Sequence, residues 1–433
     1  MNTKPITFVS CNFMGKKILS CLLLSLILSN IANGTTLKNI LKHSLTSAPE
    51  IKEASANIDA SHNRTEQAKS QHWPVVSLTG SQSLLQHHRN RADYTNKSFQ
   101  PGIEGQINLY AFGAMEADVD RTKKEEEFYQ YQYATTQEDL GYEIAKLYLE
   151  ALNMKEAITV SQKSLKRHQE ILKNIDVILA NDEGRESEYV QAEARLIMVQ
   201  QDINNYRKRL ANALTTLSKY TGIKVSESDL NNPFSNLSDN QLFSQYSAKD
   251  KLSTPMYKAQ QADLDAKKLA MDAEDKKQLP RINLVASATR EDRQVGLKVS
   301  WDILNRANSY SVREKISDVS ASRERLARIS RDIDDRANLA KINITESRTQ
   351  LNTLKSQINA SAKVVDFYKL QFEIARRSLL DVLNAERELS SVELAYATTQ
   401  HSLRSAILDY LYSQGSISNW SGVTSNLLNN TNK

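Results

Sequence analysis

Few side chains in this sequence are spaced to do covalent or acid–base chemistry. The 433 residues include 7 histidines and 2 cysteines, and only His87 and His88 are adjacent histidines. A lone pair in so polar a stretch reads as solvated, because a protein metal site needs three or four converging ligands. Both cysteines, Cys11 and Cys21, lie close to the first residue, so the chain beyond them has neither thiol nor disulfide. No Gly-rich phosphate loop, HExxH pair or nucleophile elbow occurs. The carboxylates mostly stand beside Lys and Arg on stretches of helical pattern, which is the pattern of a solvated face. The expectation is a protein without metal or cofactor, and not an enzyme.

What the residue types do support is partition between water and lipid. Val76, Leu78 and Gly80 alternate with Ser77, Thr79 and Ser81, and Ile103, Gly105, Ile107 and Leu109 alternate with Glu104, Gln106 and Asn108. Ile282, Leu284, Ala286 and Ala288 do the same, as do Val295, Leu297, Val299 and Trp301. These are four strands of about ten residues, the length a tilted strand needs to cross a bilayer. The lipid-facing set expected is Val76, Leu78, Ile107, Leu109, Ile282, Leu284, Leu297, Val299 and Trp301. Trp73, Tyr110, Phe112 and Trp301 would form an aromatic girdle at the helix-proximal end. A sheet lying on a globular core would also alternate, but long helical patterns start directly at Gly113 and Asn305 and leave no element to cover a face.

Those helical patterns must hold the strands in place. From Asn305 to Gln414 there is neither proline nor glycine, and Val312, Ile316, Val319, Leu326, Ile333, Ala337, Ala340, Ile344, Leu351 and Leu354 keep a four-and-three spacing. A sustained 3.5-residue repeat is a coiled-coil seam, and roughly 70 residues of it make a rod of about 100 Å. A matching rod runs from Gly113 to Ala180, turns at Asn181–Gly184 and returns as a helix from Ser187 to Tyr220. One long helix should be matched by two half-length ones, the return helix and an opening helix from Leu37 to His72.

The unit occurs twice. Ala48–Pro49 and Trp73–Pro74 recur as Thr254–Pro255 and Leu279–Pro280 at an offset of 206, and Gly222 recurs as Gly415 at 193. The change of offset places about 14 extra residues in the first copy between Pro74 and Ile103, read as a long polar loop. The division expected is a signal peptide over 1–34, a first repeat over 35–222, a linker over 223–253, a second repeat over 254–415 and a polar tail over 416–433. The signal reading rests on Lys4, Lys16 and Lys17 ahead of the apolar run Ile18 to Ile31, too short for a membrane span. The leader's three lysines account for most of the formal +5 charge and leave +2, which does not suggest nucleic acid. The fold class expected is mainly α with a membrane β-barrel portion. Four strands cannot close, and open edges in lipid cost several kcal/mol per unpaired group, so copies must combine. Three copies would give twelve strands and a water-filled bore.

Helix, two strands, long helix, turn and return helix, repeated behind a signal peptide, resemble the TolC family of outer-membrane efflux and secretion channels. The residues carrying the likeness are PVVSL and PRINL at the strand starts, the joint NLYAFG, and ESEYVQAEARL and SLLDVLNAEREL in the return helices. The resemblance implies a homotrimer with a twelve-stranded barrel in outer-membrane lipid and an α-helical tunnel across the periplasm. It also implies a periplasmic adaptor and an inner-membrane transporter, ABC-type or proton-driven, as partners. It implies a gate at the periplasmic tip, where Arg377 matches the tip arginine and Asp381 an acidic ring residue. Asn384 stands where a second acid is common, and Ala375 where glycine is usual. Glu186, Glu188 and Tyr189 are the candidate partners of Arg377. DEGRESEYVQAEARL is similar to the turn of members serving type I protein secretion, the cargo class expected ahead of drug efflux; a periplasmic scaffold without a pore is the remoter alternative.

Overall fold

Prolines set the first boundaries. In the computed structural model, which describes residues 36–82, 99–180, 185–248, 250–290 and 292–423, the single opening helix expected over Leu37 to His72 is two, α1 (Leu37–Ser47) and α2 (Pro49–Ser70). Ala48 between them is extended at φ −61° and ψ 148°, because a residue preceding proline is driven out of the helical region. Pro49 then opens α2, where its missing N–H costs nothing. The leader over 1–34, most of the long polar loop including His87 and His88, and the turn Asn181–Gly184 lie outside the described residues.

The chain continues through β1 (Val75–Ser81), β2 (Gln100–Tyr110), α3 (Ala114–Leu179), α4 (Glu186–Thr221), α5 (Asp239–Gln245), α6 (Pro255–Lys276), β3 (Arg281–Thr289), β4 (Arg293–Ser300), α7 (Arg306–Glu373), α8 (Leu379–Ser413) and α9 (Ile417–Ser421). The duplication is plain in these bounds. α2 and α6 each have 22 residues and are displaced by 206 positions, and the rods α3 and α7 have 66 and 68 residues. Each rod is therefore about 100 Å long. Gly222 and Gly415, the paired glycines, end α4 and follow α8 in the left-handed region at φ 65° and 58°, where a side chain would be strained. At Gly415 an added Cβ would also come 2.6 Å from Cδ of Pro255.

Each rod is flanked as the lengths require, α3 by α2 and α4 and α7 by α6 and α8. In addition α3 packs on α6 and α8 of the other copy, so the first rod belongs to both halves. The buried line of α7, Val319, Ile333, Ala337, Ala340, Ile344 and Leu354, follows the expected seam.

The largest apolar core lies part-way along the rods, where α1 meets Ile144, Tyr148 and Leu149 of α3 and Tyr410 and Leu411 of α8. Two segments are packed more closely than the sequence alone shows. In the linker Val225, Leu230, Phe234 and Leu242 are buried in this core, and the Tyr148 hydroxyl donates to the carbonyl of Asp229 at 3.0 Å. The chain after Gly415 is not a loose polar tail over its described part, since Ile417, Trp420 and Val423 are buried in the same core. Each large side chain so buried contributes about 1.5–3 kcal/mol relative to exposure, reason enough for both segments to fold back.

Candidate functional site

The four strands form one antiparallel sheet in the order β1-β2-β3-β4. Residues facing each other across antiparallel strands share a face, so the register sorts every side chain. One face carries the rows Leu78↔Ile103↔Ala288↔Arg293, Val76↔Gly105↔Ala286↔Val295, Ile107↔Leu284↔Leu297 and Ile282↔Val299, apolar but for Arg293 at the end away from the helices. The other carries Ser77↔Glu104↔Ser287↔Gln294, Asn108↔Asn283↔Lys298 and Arg281↔Ser300. The apolar face is open in a single chain, with Leu78 86% and Val295 75% exposed. On the polar face Asn108 donates to Oδ1 of Asn283 at 2.8 Å. The strands have 7, 11, 9 and 8 residues, not a uniform ten. The register slips between Asn108 and Tyr110, so Leu109 falls on a bulge. Trp301 lies just past β4, and its indole N–H donates to the carbonyl of Gln278 at 3.1 Å, tying the end of the sheet to the end of α6. At the end of β2 the rings of Tyr110 and Phe112 lie 4.6 Å apart and tilted by 60°, and Phe112, at φ 53°, makes the sharp joint with Gly113 that sends the chain into α3.

At the far end of the rods the turn from α7 to α8 is made by Ala375 at φ 55°, a left-handed conformation that glycine would take without strain. Arg377 lies with its guanidinium 4.4 Å from the Tyr368 ring, donates to Gln371 at 3.1 Å and has Asp381 at 3.8 Å. These groups belong to its own hairpin, and within one chain no described polar contact takes Arg377 to Glu186, Glu188 or Tyr189. Asp381 closes a capping box: it accepts from the Ser378 hydroxyl at 2.9 Å and backbone N–H at 3.3 Å, while its own N–H donates back to Ser378 at 3.2 Å. Glu188 pairs with Arg185 at 3.5 Å, Tyr189 packs against the small core of Ile171, Ile175, Leu379 and Val382, and Glu186 and Asn384 are exposed.

Two buried carboxylates were not singled out from the sequence. Glu386, wholly buried in α8, meets Arg167 of α3 at 2.7 Å and Lys369 of α7 at 2.8 Å, and Arg167 also reaches Glu393 at 2.9 Å. Three helices from both copies are tied at one charge cluster. The available signal was its spacing: Leu379, Val382, Leu383, Glu386, Leu389 and Val392 form one buried stripe with a carboxylate in the middle. Glu138 of α3 accepts from the backbone N–H of Ile417 at 2.7 Å and of Ser418 at 3.0 Å. Burial pushes its carboxyl up to about 7, against the pull of those bonds. One turn on, Gly141 makes room, since a Cβ there would sit 2.8 Å from Cγ2 of Ile417. Among the described residues no cluster of His, Cys, Asp and Glu could hold a metal ion.

The profile of the outer membrane efflux protein family matches residues 40–223, which span nearly the whole first repeat. Over that repeat the chain is similar to this family. No curated protein matches it in sequence. Among solved structures the chain is similar to the outer-membrane channel OprN, at 17% identity and TM-score 0.78 over 89% of this chain and 90% of that one. It is similar to VceC of Vibrio cholerae at 12% identity and TM-score 0.77, covering 88% and 96%. It is similar to the CmeC channel of Campylobacter jejuni at 14% identity and TM-score 0.75, covering 91% and 88%. At these identities the structures speak for the fold, and they match nearly the whole chain, second repeat included. The matched family is described as outer membrane efflux proteins, and the solved structures similar to this chain are outer-membrane channels.

Proposed function

We propose that the protein is one third of a passive exit duct that receives cargo from an inner-membrane transporter and a periplasmic adaptor. The observation that carries this reading is the sheet: one face apolar except for Arg293 at its outer end, one polar face and two unpaired outer edges, β1 and β4, at the end of rods about 100 Å long. In lipid those edges must be paired, and three copies set edge to edge close a bore. Among the described residues no helix is long and apolar enough to cross a membrane. The long loop of the first copy then lies outside the cell, and the tip at Ala375 and Arg377 meets the adaptor. In the trimer Arg377 links neighbouring hairpins and holds the tip shut, because its fork of donors suits a carboxylate or carbonyl.

The test is direct. Protein extracted from outer membranes should migrate as a trimer unheated and as a monomer after boiling, and should open defined conductances in planar bilayers. A monomer without conductance would overturn the duct.

For the cargo, the reading that goes furthest is type I protein secretion, on the likeness of DEGRESEYVQAEARL to members that serve it. Small-molecule efflux is the second reading, favoured by the efflux description of the family. Deleting the gene should abolish appearance of one large polypeptide in the medium while leaving susceptibility to dyes and antibiotics unchanged. The reverse outcome would select the second reading.

A further inference from the structure

Three charged side chains stand on the polar face of the described sheet: Glu104 on β2, Arg281 on β3 and Lys298 on β4. They are not mixed. Arg281 pairs with Ser300 at the start of β3 and the end of β4, and Lys298 stands level with Asn283 and Asn108 two residues farther up, so both bases lie at the end next to the helices. Glu104 is four residues from Asn108 along β2, about 13 Å toward the other end. Arg281 and Lys298 are exposed, and neither makes an ion pair among the described residues. Lysine on an edge strand can serve merely to discourage stray pairing. That does not account for Arg281, whose strand is paired on both sides.

We propose that Arg281 and Lys298, repeated in three copies, form a basic collar in the bore where the barrel joins the helical tunnel, and that the collar favours carboxylate-bearing cargo. The inference rests on the trimeric barrel proposed above. Twelve strands about 4.8 Å apart, tilted by about 40°, enclose a backbone radius of roughly 12 Å. A lysine stem reaches roughly 6 Å inward, leaving its ammonium about 6 Å from the axis. The Debye length at physiological salt is about 8 Å, so the whole cross-section lies within the field of six positive charges. Small anions and acidic stretches of polypeptide are the solutes such a ring concentrates.

The test uses the chain's lack of cysteine beyond Cys21. A Lys298→Cys trimer in bilayers is exposed to an anionic sulfonate and, separately, to a cationic trimethylammonium thiosulfonate reagent, and modification is read as a conductance step. The expected result is faster reaction with the anionic reagent by about fivefold or more, corrected for reactivity with free thiol, and loss of that ratio when Arg281→Glu is added. Equal rates would overturn the collar and leave the water-filled bore standing. No reaction with either reagent in a conducting channel would remove Lys298 from the bore and overturn the face assignment as well. Should the cysteine variant fail to assemble, Arg281→Gln with Lys298→Gln gives a second reading: the reversal potential in a salt gradient must move toward cation preference, and an unmoved potential refutes the collar.

Discussion

Replacing Glu138 by glutamine should abolish one identifiable part of the protein's dependence on pH. The carboxyl is raised from an ordinary 4.5 to about 7 in the folded chain, burial being the main cause. The folded state therefore holds a proton that the unfolded chain releases. The stability this confers is fully present below pH 4.5 and is lost as pH rises through about 7. At 1.36 kcal/mol per unit the loss is about 3 kcal/mol. Glutamine keeps one acceptor oxygen for the N–H groups of Ile417 and Ser418, so it gives up one bond at every pH but has nothing to titrate. The neighbours Asp139, Arg336 and Tyr412 are present in both proteins and cancel in the comparison. Trp420, buried beside Phe234 at 5.1 Å, is a local reporter once Trp73 and Trp301 are changed to phenylalanine. Denaturant titrations of its fluorescence, at fixed protein concentration and at several values between pH 4.5 and 8, give the stability of variant minus parent. That difference should rise by about 3 kcal/mol across the window. Parallel curves would refute a buried titrating carboxylate at this site.

Three further outcomes are expected. Arginine at Leu284 or Val299 should cost about 2–4 kcal/mol near the bilayer midplane and reduce trimer in outer membranes, while arginine at Ser287 or Ser300 on the opposite face is tolerated; equal tolerance would remove the lipid-facing assignment. Arg377→Ser should enlarge single-channel conductance, and Asp381→Asn should reduce cation preference; because Asp381 also caps α8, Asp381→Ala would add a folding cost of about 1 kcal/mol, visible in melting of the trimer. Glu386→Ala leaves Arg167 and Lys369 without their shared partner and should destabilise by about 3–5 kcal/mol in denaturant titration; an unchanged midpoint would show that the cluster is dispensable.

Much of the architecture was legible because it is carried by period. A 3.5-residue repeat and a two-residue alternation are local signals, and the register of β1 to β4 places most of the alternating residues on two faces, while Leu109 falls on a bulge and Trp301 past the end of β4. The duplication was legible through prolines and glycines, whose backbone restrictions recur at fixed offsets. What stayed hidden depends on distant partners. The break at Ala48 was in plain sight as a residue before proline, yet the apolar pattern runs through it. Ile417, Trp420 and Val423 sit among serines and asparagines, so their burial follows from a socket in α1 and α3 rather than from any pattern of their own. Glu138 and Glu386 look like ordinary helix carboxylates until α9 or α7 is placed beside them. At the tip, sequence likeness pointed to Arg377 and Asp381, while the contacts seen in one chain stay within a hairpin.

The segment following Gly415 has a bearing on how the protein is made. It comes after both repeats in chain order, yet it fills a socket lined by α1, among the first elements to leave the ribosome, and by the middle of α3. Until Ile417 and Trp420 arrive, the N-terminal helices present an open apolar cleft and Glu138 faces it without its two N–H partners. A chain cut short within the second repeat would keep its rods but not this closure, and the cleft would offer a grip to periplasmic chaperones and proteases. Only a chain carrying both repeats supplies the side chains that fill this socket.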